Sequence, residues 1–192
     1  MRVGKLIPES LASSTLLDRE GRQIVLESFW AEGPALLVFM RHFGCLCLSA
    51  QITELSPRLF ELHQLGIRTV FIGNGAAHFI DGFIERFGLA DKKVEIVTDP
   101  PLASFRAAGL LRSWWATYGP RGLWDAVRAA GAGHVNRWGE GDAIQQGGTL
   151  LVDAQGRVAY YHRDASRGGH APSGDIVDAA MRLILKQYPL LI

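Results

Sequence analysis

The two cysteines of the chain, Cys45 and Cys47, are separated by a single residue and follow an apolar run, Ala35 to Met40. The run predicts a buried strand, and the residues after it, Arg41 to Gly44, predict a turn into a helix. A thiol at a helix N-terminus faces unpaired backbone N–H groups and the positive end of the helix dipole, and both favour the thiolate. This order of strand, glycine turn, cysteine and helix is typical of a redox-active thiol.

Cys45 is the candidate nucleophile, because it stands at or just before the first helical position. Arg41 and His42 are close in sequence and could supply positive charge that also favours the thiolate. Cys47 could resolve an oxidised Cys45, since a sulfenic acid condenses with a nearby thiol to give a disulfide. Residues two apart on a helix do not face each other, so we expect this closure to need unwinding of the turn. The alternative for each cysteine is a small buried hydrophobic residue.

The same residue types permit two other classes of function. Cys45, Cys47 and His42 could bind copper(I) or zinc, because thiolate and imidazole suit soft metals, although the sequence shows no fourth ligand. A metal-binding or metal-delivery module is therefore the second hypothesis. The third is a non-catalytic interaction protein that presents a tryptophan-rich segment to a partner.

Length and composition are those of a globular chain that forms one domain over residues 1–192. Hydrophobic residues make up 48% and charged residues 20% of the 192, which is ordinary globular usage. The formal net charge of +1 argues against nucleic-acid or membrane partners, which require a concentrated basic face. We see no secretory signal and no apolar run long enough to span a bilayer. We therefore expect a soluble, cytoplasmic protein whose thiols are kept reduced.

Strands and helices alternate along most of the chain, which predicts an α/β fold with a parallel core. An opening β-hairpin occupies residues 14–27, and a glycine turn near Gly156 joins a second hairpin late in the chain. Pro57 interrupts a helical pattern over residues 48–65 and predicts a kink or a break there. Further strands are expected at 67–72 and 94–97, and further helices at 76–87, 102–108, 122–130 and 175–187.

Residues 110–146 form an insertion that carries four tryptophans among glycines: Trp114, Trp115, Trp124 and Trp138. Core packing is the default explanation for such residues. The alternatives are a cover over the thiols, an apolar substrate groove, or a subunit contact in a homodimer, where tryptophan is favoured.

Four segments together resemble the peroxiredoxin-like 2 branch of the alkyl hydroperoxide reductase/thiol-specific antioxidant (AhpC/TSA) superfamily. They are FMRHFGCLC, GIRTVFIGNG, IVTDPPLASFRAAGL and GGTLLVDAQGRVAYYHRD. The branch commonly carries R-x-F-G-C-x-x-C, which Arg41, Phe43, Gly44 and Cys45 match. The second cysteine falls one residue early, at Cys47, so the motif here is C-x-C.

The resemblance implies a thioredoxin-like, three-layer α/β/α fold with a central mixed sheet. It also implies a thiol-dependent oxidoreductase that reduces peroxides or disulfides through Cys45, with Cys47 or an external thiol regenerating it. Electrons would come from thioredoxin or from small thiols, since no flavin, nicotinamide or haem signature is present and no cofactor is expected. In this fold Thr149 would lie near the thiols, where it could orient a substrate or simply fill a strand position.

Two supporting residues of related enzymes are replaced in this chain. Peroxiredoxins place a threonine three residues before the reactive cysteine, where this chain has His42. Thioredoxin-like reductases place a cis-proline before the strand that faces the thiols, where this chain has Gly147 and Gly148. Peroxide reduction and disulfide exchange therefore stay open as alternatives.

Overall fold

The computed structural model describes residues 1–132, 140–166 and 168–187. Within them the chain forms seven strands, which order into one sheet as β2-β1-β5-β4-β3-β6-β7. The strands are β1 (Thr15–Leu17), β2 (Gln23–Val25), β3 (Ala35–Phe39), β4 (Arg68–Gly73), β5 (Val94–Thr98), β6 (Gly148–Val152) and β7 (Val158–Arg163). The central pairs β3–β4 and β4–β5 are parallel, whereas the outer pairs are antiparallel. The predicted mixed sheet is confirmed.

Helices cover both faces of this sheet. They are α1 (Glu9–Ala12), α2 (Leu46–Leu55), α3 (Leu59–Gln64), α4 (Phe79–Phe87), α5 (Ala103–Ala107), α6 (Trp114–Tyr118), α7 (Pro120–Gly131) and α8 (Ser173–Gln187). None of these described helices is both long and apolar enough to cross a membrane.

Side chains of β3 alternate between two hydrophobic cores, as the pleat of a strand requires. Leu36 and Val38 enter the core that also holds both cysteines and α8, whereas Leu37 and Phe39 enter the core beneath α1 and α5. All five residues of β3 are buried. The fold is therefore the expected three-layer α/β/α arrangement, with the cysteines on one defined face of the sheet.

The break predicted at Pro57 separates α2 from α3. A short 3-10 segment, Ser56–Arg58, replaces the α-helix there, because proline lacks the N–H that a continuous helix needs. Helix α4 begins at Phe79 rather than at residue 76, and α1 and α6 were not predicted. Helices of four or five residues are too short to carry a helical hydrophobic period.

The two described ends of the tryptophan-rich insertion lie next to each other. Its two ends pair, with the Ser113 N–H donating to the Ile144 carbonyl at 3.0 Å and the Gln146 N–H donating to the Leu111 carbonyl at 2.8 Å. Between these ends, α6 and α7 contact each other.

Three of its tryptophans are exposed, at 58% for Trp114, 71% for Trp115 and 68% for Trp124. Core packing is therefore the wrong explanation for these three, because α6 and α7 turn other residues toward the protein. Trp138 lies outside the described residues.

The turn that precedes the cysteines is held by a close aromatic contact. The ring of Phe43 lies over Gly73 at the end of β4, where a Cβ atom would come within 2.7 Å of the ring carbons Cε1 and Cε2. Phe43 also contacts Phe83 of α4 edge-on, with ring centroids 5.4 Å apart. Glycine at residue 73 thus permits the packing that fixes the start of α2.

We predict that Gly73→Ala destabilises the protein by about 2 kcal/mol, because the added methyl group must displace a buried ring. Gly82→Ala is the control, since Gly82 lies in α4 with nothing within 4 Å of its Cβ position. That substitution is expected to stabilise by roughly 0.5–1 kcal/mol through helix propensity. Urea denaturation measures both values, and equal effects of the two substitutions would contradict the packing argument.

Candidate active site

Cys45 is the N-cap residue of α2, with extended backbone angles of φ −71° and ψ 126°. Its N–H donates to the His42 carbonyl at 3.0 Å, and its own carbonyl accepts from the Ser49 N–H at 3.3 Å. Phe43 and Gly44 form the turn that delivers it. The sequence predicted this position, and it places the thiol at the positive end of the helix dipole.

The two cysteine side chains contact each other, because the Cys47 thiol hydrogen-bonds to the sulfur of Cys45. This differs from the expectation that residues two apart point in different directions. That rule holds between two helical residues, whereas Cys45 has extended backbone angles and only Cys47 is helical. The two sulfurs therefore interact without unwinding of the helix.

The pKa of the Cys45 thiol lies well below its usual value. The largest cause is the hydrogen bond from Cys47; burial opposes it by penalising the charged form. A hydrogen bond from His42 and the positive charge of Arg41 lower the pKa further. These three groups therefore favour a thiolate.

Arg41 is buried, at 3% exposure, and the insertion supplies its hydrogen-bond acceptors. Its guanidinium donates to the side-chain oxygen of Gln146, to the carbonyl of Ala143, and to the Thr117 hydroxyl at 3.3 Å. Gln146 also donates to Thr117 at 2.8 Å. The insertion thus fixes a cation beside the cysteines, a role that no local motif in the sequence indicated.

His42 and Thr149 are both buried on this side of the sheet. Thr149 pairs with Val38 of β3, and it shares the face of Leu151, which packs in the core that holds the cysteines. The backbone of Gly141 presses on His42, since a Cβ there would be 2.9 Å from the His42 Cβ. Thr149 therefore lies on the face of the sheet that carries the cysteines.

Four polar atoms around this face are buried and have no hydrogen-bond partner among the described residues. They are Arg41 Nε, His42 Nδ1, Thr149 Oγ1 and Asp164 Oδ1. Buried polar atoms in native proteins almost always have partners, and clustered exceptions mark sites for water or ligand. These unpartnered donors and acceptors are therefore suited to hydrogen bonds with a small polar molecule.

Asp164 follows β7 on the same face and was missed by sequence reasoning. Its N–H donates to the Gly147 carbonyl at 3.2 Å, and a Cβ at Gly147 would be 2.7 Å from its Oδ2. Burial raises the pKa of Asp164 to about 6, while the charges of His162, His170 and Arg41 act in the opposite direction. A carboxyl group that exchanges a proton near neutral pH thus lies beside Gly147.

Neither cysteine is open to solvent in this conformation, with 1% exposure for Cys45 and 2% for Cys47. Cys45 is enclosed because it packs in the core between α2 and the sheet. Cys47, in contrast, lines a cavity of about 330 Å³ between α2 and α7.

No group of three or more His, Cys, Asp or Glu side chains in the described part of the chain is arranged to hold a metal ion. Cys45, Cys47 and His42 are all described, so their contacts do not support the metal-binding hypothesis.

A family model described as "AhpC/TSA antioxidant enzyme" matches residues 54–166, which is more than half of the chain. The chain belongs to the AhpC/TSA family. The matched range begins after the two cysteines and covers β4 to β7 together with the insertion. It includes Thr149 and Asp164.

Relatives that align over more than nine-tenths of the chain extend this similarity to the region of the two cysteines. The chain is 26% identical to human peroxiredoxin-like 2C over 190 residues, which covers 91% of this chain and 80% of that protein. It is 25% identical to thioredoxin-like protein AAED1, chloroplastic, of Arabidopsis thaliana, over 92% of this chain and 74% of that protein. It is 30% identical to prostamide/prostaglandin F synthase of Xenopus tropicalis, over 82% and 79%.

Solved structures give the same fold. The bacterioferritin comigratory protein of Xanthomonas campestris superposes with a TM-score of 0.68 at 15% identity, over 95% of this chain and 99% of that one. The thiol peroxidase from Chromobacterium violaceum superposes with a TM-score of 0.63 at 16% identity, over 97% and 88%. This chain therefore shares its fold with proteins that are only 15–16% identical to it in sequence.

We predict that Cys47→Ala raises the pKa of Cys45 in this AhpC/TSA protein, whereas Cys47→Ser keeps it low. The serine hydroxyl still donates a hydrogen bond to the thiolate, and alanine cannot. At the midpoint pH of the serine variant, the alanine variant should carry roughly fivefold less thiolate, for a hydrogen bond to a charged group worth about 1.4 kcal/mol. The pH midpoint of iodoacetamide alkylation measures this, because each variant retains only Cys45. Coincident midpoints would contradict the hydrogen bond.

We predict that Asp164→Asn removes a pH dependence of stability. The folded-state pKa of about 6 lies above the ordinary value of 3.8, so this stabilising contribution is complete below the unfolded pKa and is lost as pH rises through 6. The wild-type free energy of unfolding should therefore fall, through Asp164, by roughly 1 kcal/mol between about pH 5 and pH 7.5. Urea titrations of both proteins at the two pH values isolate this part, and identical pH dependences would contradict it.

Proposed function

We propose that the protein is a thiol-dependent peroxidase in which Cys45 reduces a hydroperoxide. The Cys45 thiolate attacks the terminal oxygen of the peroxide, and the oxygen–oxygen bond breaks. Cys45 becomes a sulfenic acid, and the other oxygen leaves with a proton as an alcohol or as water. The sulfur gives up two electrons, and the peroxide accepts them.

The observation that carries the proposal is the environment of Cys45. Its pKa is lowered by Cys47, by His42 and by the charge of Arg41, which is the condition for a nucleophilic sulfur. The family membership and the peroxiredoxin fold support peroxide as the electron acceptor.

The threonine that peroxiredoxins use beside the reactive cysteine is replaced by His42, and nearby buried groups offer a substitute. His42 Nδ1 and Arg41 Nε lack partners among the described residues, and a peroxide has two oxygens that can accept hydrogen bonds. Thr149 Oγ1 is a third unpartnered atom on this face. Preorganised donors of this kind stabilise the negative charge that develops on the leaving oxygen.

Cys47 is proposed as the resolving residue. Its thiol already contacts the Cys45 sulfur, so condensation with a sulfenic acid requires little displacement and releases one water molecule. The resulting bond joins residues two apart, and such a short ring makes the disulfide readily reducible. Reduction of an external disulfide by the same pair is the second candidate, because Cys47 lines a cavity.

Mass spectrometry after brief treatment with one equivalent of hydrogen peroxide tests these roles. We predict that the wild type loses two hydrogens, that Cys47→Ser gains one oxygen on Cys45, and that Cys45→Ser remains unmodified. The Cys45→Ser variant should also lose nearly all peroxide consumption, whereas Cys47→Ser should retain the first turnover.

Matched folding controls come from circular dichroism of the two serine variants, which differ from the wild type by one atom each. Unmodified Cys45 in both the wild type and Cys47→Ser would refute the peroxidase proposal. An oxygen adduct on Cys47 in place of Cys45 would reverse the assigned roles.

A further inference from the structure

The cavity beside Cys47 is lined by both apolar and polar residues. The apolar ones are Ala50 of α2 together with Ala129 and Ala132, and Cys45 is not among the described lining residues. A volume of about 330 Å³ corresponds to roughly ten water molecules. A reactant that enters this cavity therefore meets the Cys47 side chain before that of Cys45.

The two carboxylates of the cavity wall are already held by neighbouring donors. Glu54 interacts with His170 Nε2 at 2.9 Å and accepts from the Ser173 N–H at 2.8 Å. Asp125 accepts from the Ser166 hydroxyl at 2.6 Å and from the Gly168 N–H at 3.1 Å. These contacts fix the wall in position and offset the negative charge of the carboxylates.

Arg128 is the cation of the cavity that is available to a ligand. Its side chain is 67% exposed, and its ion-pair contact among the described residues is with Asp125 at 3.8 Å, beyond hydrogen-bond distance. A guanidinium presents paired donors that match a carboxylate. Arg128 is therefore suited to bind a carboxylate in the cavity that Cys47 also lines.

We propose that this cavity binds a small carboxylate-bearing thiol, which reduces a Cys45–Cys47 disulfide by attacking the sulfur of Cys47. This inference rests on the proposed function, which supplies that disulfide. In the first step the incoming thiolate forms a mixed disulfide with Cys47, and the bond to Cys45 breaks. A second thiol molecule then attacks the mixed disulfide, so that Cys47 regains its thiol and a small-molecule disulfide leaves. Two electrons and two protons pass to the protein.

The direction of attack agrees with the chemistry of the leaving sulfur. Cys45 becomes the leaving thiolate, and His42 and Arg41, which lower its pKa in the reduced protein, also stabilise it here. A thiol of lower pKa leaves faster in disulfide exchange. The cavity gives access to Cys47, and Cys45 is the more stable leaving thiolate. We therefore expect attack at the sulfur of Cys47.

The size of the recess favours a small molecule over a protein reductant. Cys47 is 2% exposed, and α7, Gly168 and His170 are among the residues that line the cavity. A folded reductase must bring its own cysteine, carried on a surface of its fold, to the attacked sulfur. A recess with room for roughly ten water molecules admits a small thiol far more readily than such a surface.

The first test locates the mixed disulfide. Wild-type protein oxidised with one equivalent of hydrogen peroxide is mixed with glutathione, quenched with acid, and fragmented so that Cys45 and Cys47 are distinguished. A glutathione adduct on Cys47 supports the inference. An adduct on Cys45 overturns it, as does reduction by thioredoxin without reduction by glutathione. A stable sulfenic acid on Cys45 without a disulfide overturns this inference alone, whereas unmodified Cys45 refutes the proposed function as well.

The second test measures recognition of the carboxylate. We predict that Arg128→Gln lowers the rate constant of disulfide reduction by glutathione roughly fivefold relative to that by 2-mercaptoethanol, as expected for one partly exposed ion pair. Arg182→Gln is the matched control, because Arg182 is also an exposed helical arginine but lies on α8, away from this cavity. An unchanged ratio for Arg128→Gln, or an equal change in the control, would overturn the assignment of Arg128 as the residue that binds the carboxylate.

Discussion

One buried positive charge at the carboxyl end of β3 organises the site. Removing a guanidinium from water costs several kcal/mol unless hydrogen bonds and opposite charges compensate. Gln146, Ala143 and Thr117 accept the hydrogen bonds of Arg41. Its charge acts on the thiol of Cys45 and on the carboxyl group of Asp164. The insertion is therefore a structural requirement of the site, because it solvates the cation that favours the thiolate.

The fold was predictable wherever local residue types decide the local structure. Glycine and proline mark the ends of the buried strands, and Pro57 ends α2 as proline must. Continuous apolar runs such as Ala35–Phe39 indicate strands buried on both faces. The position of Cys45 at the start of α2 follows from the same local signals, so the candidate nucleophile was identifiable from the sequence.

The surroundings of that nucleophile were not predictable, because they come from distant parts of the chain. Gln146 lies 105 residues from Arg41, and His170 lies 116 residues from Glu54. No spacing rule connects such pairs. The contact between Cys45 and Cys47 was missed for a different reason: a helical rule was applied to a residue whose backbone is extended.

Burial disfavours the reactive thiolate of Cys45, and the neighbouring groups offset this effect. Burial raises the pKa of a thiol, since a thiolate loses its water shell. Cys47, His42 and Arg41 replace that shell with fixed donors and charge, and the net direction is a lowered pKa. A sulfenic acid is neutral, so its formation weakens all three contacts at once. Oxidation of Cys45 therefore removes the charge that these three groups stabilise, at the step when its sulfur must form a bond with Cys47.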